Sequence, residues 1–590
     1  MLRKFSAGLL LYTLLLSSTS AFAQQPQPSA SDDPLMKIKE EGMKRSQVMK
    51  TISYITDVIG PRLTGSPSLK RANEWTRDKF TEWGLKNSAL EAWGPFGRGW
   101  SLQKFSAQVV EPQFMPIIAY PKAWSPSTNG PITGEVVYIN AKTEAELQAY
   151  KGKLKGAIVL TSPSGDIKAR FEALVSRRDD KALLALADAS PATRLGSAPT
   201  GGRQYSPEAL AAFRFSGVKS QFFQDEGVAL MIDPSFGLDG GTVRVMGASV
   251  PQPPSADGNP FSARRISAWD ANAPKIIPQV VASAEHYNRI VRLLEQGEKV
   301  KISVEIAAQF HSQDLMQYNT IAEIPGTDLK DEVVMLGAHL DSWHAGTGAT
   351  DNGAGVATVM EAVRIIQALG LKPRRTIRVA LWTGEEQGLY GSRAYVAKHI
   401  GTIGDGSATA TMGAMTGGAP TTITPGPEYN KVSAYYNLDN GTGKIRGVYM
   451  QGNEALRPIF REWLNPYRDL GATTLTIGNT GSTDHVPFDS IGVPGFQFIQ
   501  DEIEYFTRSW HTNQDVLDRI QEEDLKQAST LMAAFVYSTA MMNEKLPRKP
   551  MAQNAILGYP MTTPIGYLGL TAIDLPLFCT PPKQNFKFGS

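Results

Sequence analysis

The sequence predicts an α/β fold: a mixed, mostly parallel sheet with helices on both faces, plus an inserted domain. Strand-like and helix-like segments alternate over residues 318–400, a pattern typical of parallel sheets. Residues 106–275 differ in sequence pattern, because short β-type runs are separated there by Gly and Pro. Acidic and histidine clusters directly follow the strand-like runs, where the sites of such sheets lie.

The first 23 residues predict a secretory signal peptide. A short basic start, Arg3-Lys4, precedes the apolar stretch from Leu9 to Leu16, which is too short to span a bilayer comfortably. Ala21-Phe22-Ala23 then places small residues at the first and third positions of a cleavage site. We therefore expect cleavage near Ala23, a periplasmic or secreted protein and no stable membrane anchor.

The rest of the chain divides by composition and by periodicity. Helical spacing of apolar residues begins after a Gln-, Pro- and Ser-rich stretch, and a Pro-rich segment without periodicity closes the sequence. We predict a flexible leader (24–34), the first part of the catalytic domain (35–105), the insert (106–275), the remaining catalytic domain (276–545) and a C-terminal tail (546–590).

Hydrophobic periodicity predicts the individual elements in order. The helices are expected within 36–60 (ended by Gly60-Pro61) and over 68–83, 281–297, 356–369 and 388–398, with a further helix starting near 513–515. The strands are expected at 136–139, 157–160, 300–306, 333–336, 377–382 and 432–436.

Composition excludes several classes of protein. The 590 residues carry 59 Lys and Arg against 57 Asp and Glu, a net charge of +2. We therefore expect neither a nucleic-acid nor an anionic-membrane partner. Cys579 is the only cysteine, so no intrachain disulfide can form and any bound metal must be held by His and carboxylates.

Two clusters follow neighbouring strands. His339 follows one strand, and Asp341 can accept a hydrogen bond from the far nitrogen of its ring, which would fix the tautomer of a metal-bound imidazole. Asp351 lies just before a helix, where it is either a carboxylate bridging two metals or an ordinary helix N-cap. Glu385 and Glu386 end the next strand, so that one can bind metal while the other takes a proton from metal-bound water.

The remaining candidates lie further along the chain. Asp439 follows a strand and is either a metal ligand or an Asx-turn residue. His485 and His511 lie in Gly-rich or acidic contexts, in a chain with only 7 His. A lone His in such a chain is more often structural, but the combination favours a metal site.

The order His, Asp, Glu-Glu, Asp, His at strand ends resembles the co-catalytic di-zinc aminopeptidase and glutamate carboxypeptidase family. Residues 59–66 and 96–100 are similar to its plasma glutamate carboxypeptidase-like branch, which carries an inserted protease-associated domain. The resemblance spans about residues 45–540 and implies a di-zinc exopeptidase fold. The stretch 401–430 departs from the family pattern as an insertion, which places Asp439 beyond the usual spacing.

The resemblance also implies roles for the candidate residues. His339 and Asp439 would hold one Zn²⁺, Glu386 and His511 the other, and Asp351 would bridge the two. Glu385 would be the general base and Asp341 would orient His339. The substrate would meet His485 or, as a rival for oxyanion stabilisation, Tyr505.

We therefore predict a zinc-dependent exopeptidase that acts on peptides. An aminopeptidase or dipeptidase is favoured, and a glutamate-type carboxypeptidase is the alternative. A glutaminyl cyclase and a metal-free, non-enzymatic relative of the transferrin-receptor type are remoter. Oligomeric state stays open, and a homodimer is compatible with the sequence.

Overall fold

The computed structural model describes residues 33–189, 207–252, 265–403 and 423–549. The predicted signal peptide, nearly all of the leader, the centre of the 401–430 insertion and all but the first residues of the tail lie outside this part. Within the described residues, no helix combines the length and the apolar character needed to cross a membrane.

Twelve α-helices are present in the described residues, several of them extended by a π or 3₁₀ turn. Pro34–Lys44 begins directly after its N-cap Asp33. In chain order they are α1 Pro34–Lys44, α2 Val48–Ser53, α3 Pro67–Glu82, α4 Glu144–Gln148, α5 Asp180–Ala187, α6 Pro207–Glu226, α7 Ala284–Glu295, α8 Ala354–Ala368, α9 Tyr390–Tyr395, α10 Arg457–Leu464, α11 Val486–Ser490 and α12 Glu522–Met541.

The strands, numbered along the chain, form two large sheets and one hairpin, β13 (Gly401–Ile403) with β14 (Ile423–Pro425). The first sheet has the order β1-β10-β12-β11-β15-β18-β16-β17. Its strands are β1 Lys86–Trp93, β10 Gln317–Ile324, β11 Leu329–His339, β12 Arg375–Trp382, β15 Val432–Asn437, β16 Ile445–Tyr449, β17 Thr474–Thr476 and β18 Gly495–Gln500.

The centre of this first sheet is parallel, as predicted. β12, β11, β15 and β18 run in the same direction, while the pairs β1–β10, β10–β12 and β16–β18 are antiparallel. Alternate residues of β11 enter different cores: Val334 and Leu336 pack with α8 and α12, whereas Val333 and Met335 pack with α9 and α11. Helices therefore cover both faces of the sheet, which confirms the predicted α/β fold.

The second sheet is built from residues 99–311 in the order β3-β2-β9-β5-β6-β7-β8-β4. The long antiparallel pair β2–β9 begins and ends this stretch, and parallel strands β5, β6, β7 and β8 lie beside it. Its strands are β2 Gly99–Glu111, β3 Met115–Pro116, β4 Ala119–Pro121, β5 Ile132–Tyr138, β6 Ile158–Leu160, β7 Leu230–Pro234, β8 Gln279–Ala282 and β9 Lys301–His311.

Two predicted helix boundaries are wrong. The helix predicted from 281 begins at Ala284, because Val281 belongs to strand β8 and Ser283 is the N-cap. No helix starts at 513–515. Asp515 uses its carboxylate to hold a neighbouring turn, and the next α-helix begins only at Glu522.

Candidate metal centre

Parallel pairing brings the two predicted clusters to one edge of the first sheet. His339 is the last residue of β11 and lies in register with Trp382, the last residue of β12. Glu385 and Glu386 follow Trp382 in the loop beyond that strand end. The imidazole and both carboxylates therefore meet at the carboxyl edge, where the topology of parallel sheets places sites.

Asp351 lies between two imidazoles. Its Oδ1 is 3.3 Å from Nε2 of His339, and its Oδ2 is 3.2 Å from Nε2 of His511. The turn that carries it is held by Asp515, whose carboxylate accepts hydrogen bonds from the backbone amides of Thr350 (2.6 Å) and Asp351 (3.2 Å). One carboxylate thus presents a separate oxygen to each side of the cluster.

The six side chains form two half-sites that share Asp351. In the first half-site, Nε2 of His339 is 3.3 Å from Oδ1 of Asp439 and 4.0 Å from Oε2 of Glu385. In the second half-site, Nε2 of His511 is 3.0 Å from Oε2 of Glu386. The two adjacent glutamates therefore face different imidazoles.

His511 is positioned by a loop and not by a strand end. Its backbone adopts a φ of +60°, and its carbonyl accepts a hydrogen bond of 2.9 Å from the amide of Val245. The Trp510 ring stacks on the imidazole with 3.8 Å between ring centroids. The second half-site consequently depends on the residues of the second sheet region that contact this loop.

Asp341 supports the edge through two different groups. Its backbone carbonyl lies 3.0 Å from Nδ1 of His339, while its carboxylate is 3.7 Å from the same nitrogen. The carboxylate accepts hydrogen bonds from the amides of Glu385 (3.3 Å) and Glu386 (3.2 Å) and from Thr64 Oγ1 (3.0 Å). Asp341 thus orients His339 mainly through its backbone, and its side chain fixes the loop of the two glutamates.

Burial and crowding of like charges perturb the site strongly. Burial raises the pKa of Glu386 to about 7, and it raises that of Glu385 well above its ordinary value. Burial alone would lower the pKa of His511, but the carboxylates of Glu386 and Asp351 outweigh it and raise this pKa to about 9. For Asp351, the hydrogen bonds of the two imidazoles overcome burial and hold its pKa below its ordinary value.

The residues fit a pair of zinc ions. One ligand atom from each of His339, Asp351 and Glu386 lies within 4.8 Å of the others. Oε1 of Glu386 is buried and makes no hydrogen bond in the described structure, which is a costly state for a carboxylate oxygen unless a cation meets it. Imidazole and carboxylate donors are common ligands of catalytic zinc sites.

The two candidates for substrate contact differ in their surroundings. His485 is fully buried, with Nε2 3.1 Å from the carbonyl of Thr480, and it makes no hydrogen bond or ion pair with the six clustered residues. Burial raises the pKa of Tyr505 well above its ordinary value, and the carboxylates of Asp351 and Asp439 raise it further. Of the two candidates, only Tyr505 has a pKa that the carboxylates of the metal centre raise.

Three buried residues at this edge were missed by the sequence interpretation. Asp484 accepts a hydrogen bond from Ser392 (2.5 Å), and burial raises its pKa to about 7. Asp515 holds the Asp351 turn. Arg62 donates to the carbonyls of Leu340 (2.7 Å) and Gly348 (2.8 Å), on either side of the loop after β11. Their proximity to the centre arises from tertiary contacts that the sequence alone does not reveal.

Known proteins resemble this chain over most of its length. Residues 319–536 match the family described as Peptidase family M28. Carboxypeptidase Q of Mus musculus is 26% identical over 510 residues, which cover 86% of this chain and 88% of that protein. Aminopeptidase YwaD of Bacillus subtilis (strain 168) is 28% identical over 223 residues, or 37% of this chain and 43% of that one.

A solved structure shares the architecture as well. The crystal structure of a Peptidase M28 precursor from Shewanella amazonensis SB2B superposes with a TM-score of 0.57 at 23% sequence identity. The superposition covers 88% of this chain and 98% of that chain. The two proteins therefore have the same fold.

Proposed function

The chain belongs to the M28 family of zinc exopeptidases, and from that premise we propose that its six clustered side chains form a two-zinc centre for cleaving residues from free N-termini. His339 and Asp439 hold one zinc, Glu386 and His511 hold the other, and Asp351 is shared by both. The observation that carries this assignment is the position of Asp351, whose two oxygens face two different imidazoles at 3.3 and 3.2 Å.

Glu385 is the general base of the proposed reaction. When bound, zinc lowers the pKa of water and polarises the scissile carbonyl. Glu385 lies beside the first half-site, with its side chain only 10% exposed, and burial raises its pKa. A carboxylate of raised basicity is suited to take a proton from water and to return it to the leaving amine.

Tyr505 is the better placed of the two candidates for oxyanion stabilisation. Its ring packs against Gly441, two residues beyond Asp439, where a Cβ would come within 3.0 Å of the ring. Its hydroxyl makes no hydrogen bond among the described residues and stays available as a donor, whereas Nε2 of His485 already contacts the Thr480 carbonyl. We assign His485 a structural role, in which its imidazole holds the segment that contains Thr480.

Similarity to an aminopeptidase supports recognition of a free α-amino group. Aminopeptidase YwaD of Bacillus subtilis (strain 168) is 28% identical to this chain over 223 residues. A glutamate-type carboxypeptidase is the second candidate, and the similarity to Carboxypeptidase Q over 86% of the chain favours it.

A panel of matched substrates tests the proposal. Dipeptides and tripeptides with a free N-terminus should be hydrolysed, their N-acetylated forms should not, and a chelator should abolish the activity until zinc is restored. Cleavage of the N-acetylated peptides at equal rates would overturn the recognition of the amino group and favour the carboxypeptidase.

The finer features of the chain belong to the same proposal. The signal peptide directs export and is cleaved near Ala23, which delivers the enzyme to the periplasm or outside the cell. Residues 106–275 form the protease-associated insert, and the flanking strands β2, β8 and β9 complete its sheet. The insert contributes contacts to the second half-site, as the amide of Val245 illustrates.

A further inference from the structure

Between β6 and α5 the chain crosses from the second sheet region to the first. Arg170 still pairs within the second sheet region, with its Nε 2.6 Å from the carboxylate of Asp239. The helix α5 that follows the crossing lies against β17, the edge strand of the first sheet. Phe171 and Val175 are 93% and 53% exposed, so burial of these side chains does not hold the crossing in place. Polar contacts of residues 174–178, which we call the strap, hold it instead.

The strap is attached to the loop that follows β18. Ser176 and Ile503 exchange two backbone hydrogen bonds of 2.8 Å each, which form an antiparallel bridge. Further along the same loop, Oγ1 of Thr507 donates to the carbonyl of Leu174 (2.7 Å). Tyr505 lies midway between these two attachment points in the sequence, so the strap fixes its backbone on both sides.

Two arginines attach the other end of the strap. Arg178 donates from Nε to the carbonyl of Gln500 (2.9 Å), the last residue of β18, and its guanidinium also pairs with Glu502 (2.9 Å). Arg177 pairs with the fully buried carboxylate of Asp501 (2.9 Å). Because a buried carboxylate is costly without a cationic partner, this pair stabilises the strap against the strand end.

The backbone conformation of Ile503 depends on outside support. Its φ is +52°, in the left-handed region that a β-branched residue rarely adopts. Such a conformation persists only where the surrounding contacts over-determine it. The two hydrogen bonds with Ser176 are contacts of this kind, so the path of the chain two residues before Tyr505 depends on the strap.

We infer that the strap positions Tyr505 for oxyanion stabilisation and that Arg178 is a positioning residue of the reaction. This inference rests on the proposed function. The ring of Tyr505 packs against Gly441, close to the proposed ligand Asp439. A catalytic group that is displaced by about 1 Å can lose about 10²-fold in rate. A segment that contacts neither substrate nor metal therefore controls the reaction through this tyrosine.

The first test compares zinc-loaded Arg178→Gln and Arg170→Gln with the wild-type enzyme on Ala-Ala and Ala-Ala-Ala. Arg170 is the matched control, since it also uses Nε and a terminal nitrogen for two contacts, but both lie within the second sheet region. Arg178→Gln should lower kcat by about 10- to 100-fold and leave KM and zinc content unchanged, whereas Arg170→Gln should leave kcat unchanged. An unaltered kcat of Arg178→Gln, or a change in KM or zinc content alone, would overturn the inference.

A milder variant covers the case in which Arg178→Gln does not fold. Thr507→Val keeps the shape of the side chain and removes only its hydrogen bond to Leu174, so kcat should fall by about 3- to 10-fold at an unchanged temperature of unfolding. Thr81→Val, which removes a comparable bond to the Arg77 carbonyl on α3, should have no such effect. Equal kcat values of the two threonine variants would contradict the role of the strap.

A double-mutant cycle separates positioning of Tyr505 from general support of the loop. Tyr505→Phe should lower kcat by about 10²- to 10³-fold, and in that background Arg178→Gln should lower it no further, because the hydroxyl through which the strap acts is gone. Full additivity would reduce the strap to a structural support, and an unchanged kcat of Tyr505→Phe would also refute the inference. Absence of chelator-sensitive hydrolysis by the wild type would instead refute the proposed function.

Discussion

The two halves of the metal centre are built in different ways. The first half-site combines His339, the last residue of β11, with Asp439, two residues beyond the adjacent parallel strand β15, and the pairing of these strands sets their positions. The second half-site combines Glu386, which follows a strand, with His511, which sits in a loop at a φ of +60° and is held by residues 243–245. Sheet geometry determines the first half-site, whereas contacts with the second sheet region determine the second.

Because of this difference, substitutions outside the metal ligands are expected to affect the two half-sites unequally. A strand end cannot move without breaking the ladder on both sides, so the first half-site is rigid. The loop of His511 is fixed by a few hydrogen bonds and by the Trp510 stack, so small changes outside the metal ligands can shift it. The second half-site is therefore the place where affinity and specificity can be tuned.

The largest effect is expected from Glu385→Gln. Loss of the general base should lower kcat/KM by about 10²- to 10⁴-fold, while all the residues proposed as zinc ligands stay in place. Steady-state kinetics together with metal analysis measure both quantities. The exposed Glu462→Gln on α10 is the control, and unchanged peptidase activity of Glu385→Gln would refute the general-base assignment.

A second test treats the half-sites separately. His511→Ala and His339→Ala should each weaken one zinc site by more than about 100-fold, since removal of a ligand costs more than removal of its outer hydrogen bond. Stepwise titration against a chromophoric chelator should show one tight zinc left in each variant. Retention of two equally tight ions in either variant would break the division into half-sites.

A smaller effect should distinguish the loop from the strands. The Asn513 side chain accepts a hydrogen bond from the amide of Val243 (2.7 Å) and donates to the carbonyl of Gly241 (3.3 Å). Asn513→Ala should therefore weaken the second zinc by about 10-fold and leave the first unchanged, as read by the same titration. Asn543→Ala removes a comparable bond, to Arg374, at the opposite end of the sheet. An equal effect of both changes would contradict the proposed dependence on residues 243–245.

Much of the fold could be predicted from the sequence because its signals are local. Alternation of apolar strands with amphipathic helices predicted the parallel centre of the first sheet, and the acidic clusters were expected at its carboxyl edge. The second sheet was harder, since its longest pair joins β2 to β9 across most of the inserted region. Alternation of apolar and polar residues predicts a strand at 300–306, within β9, but it does not indicate which distant strand β9 pairs with.

The site divides in the same way. His339, Glu385 and Glu386 follow strand ends and could be found from their position alone. Asp515 and Asp484 could not, because aspartates in loops acquire their roles only from the groups around them. The helix wrongly predicted at 513–515 has this cause: the acidic residue taken as its start is used to hold the Asp351 turn.

The late position of His511 in the chain has a consequence for biosynthesis. β11, β12 and β15 are all made before this histidine is added, so an interrupted chain possesses the first half-site without the second. The proposed two-zinc centre is therefore complete only after one of the last loops of the described structure has been made.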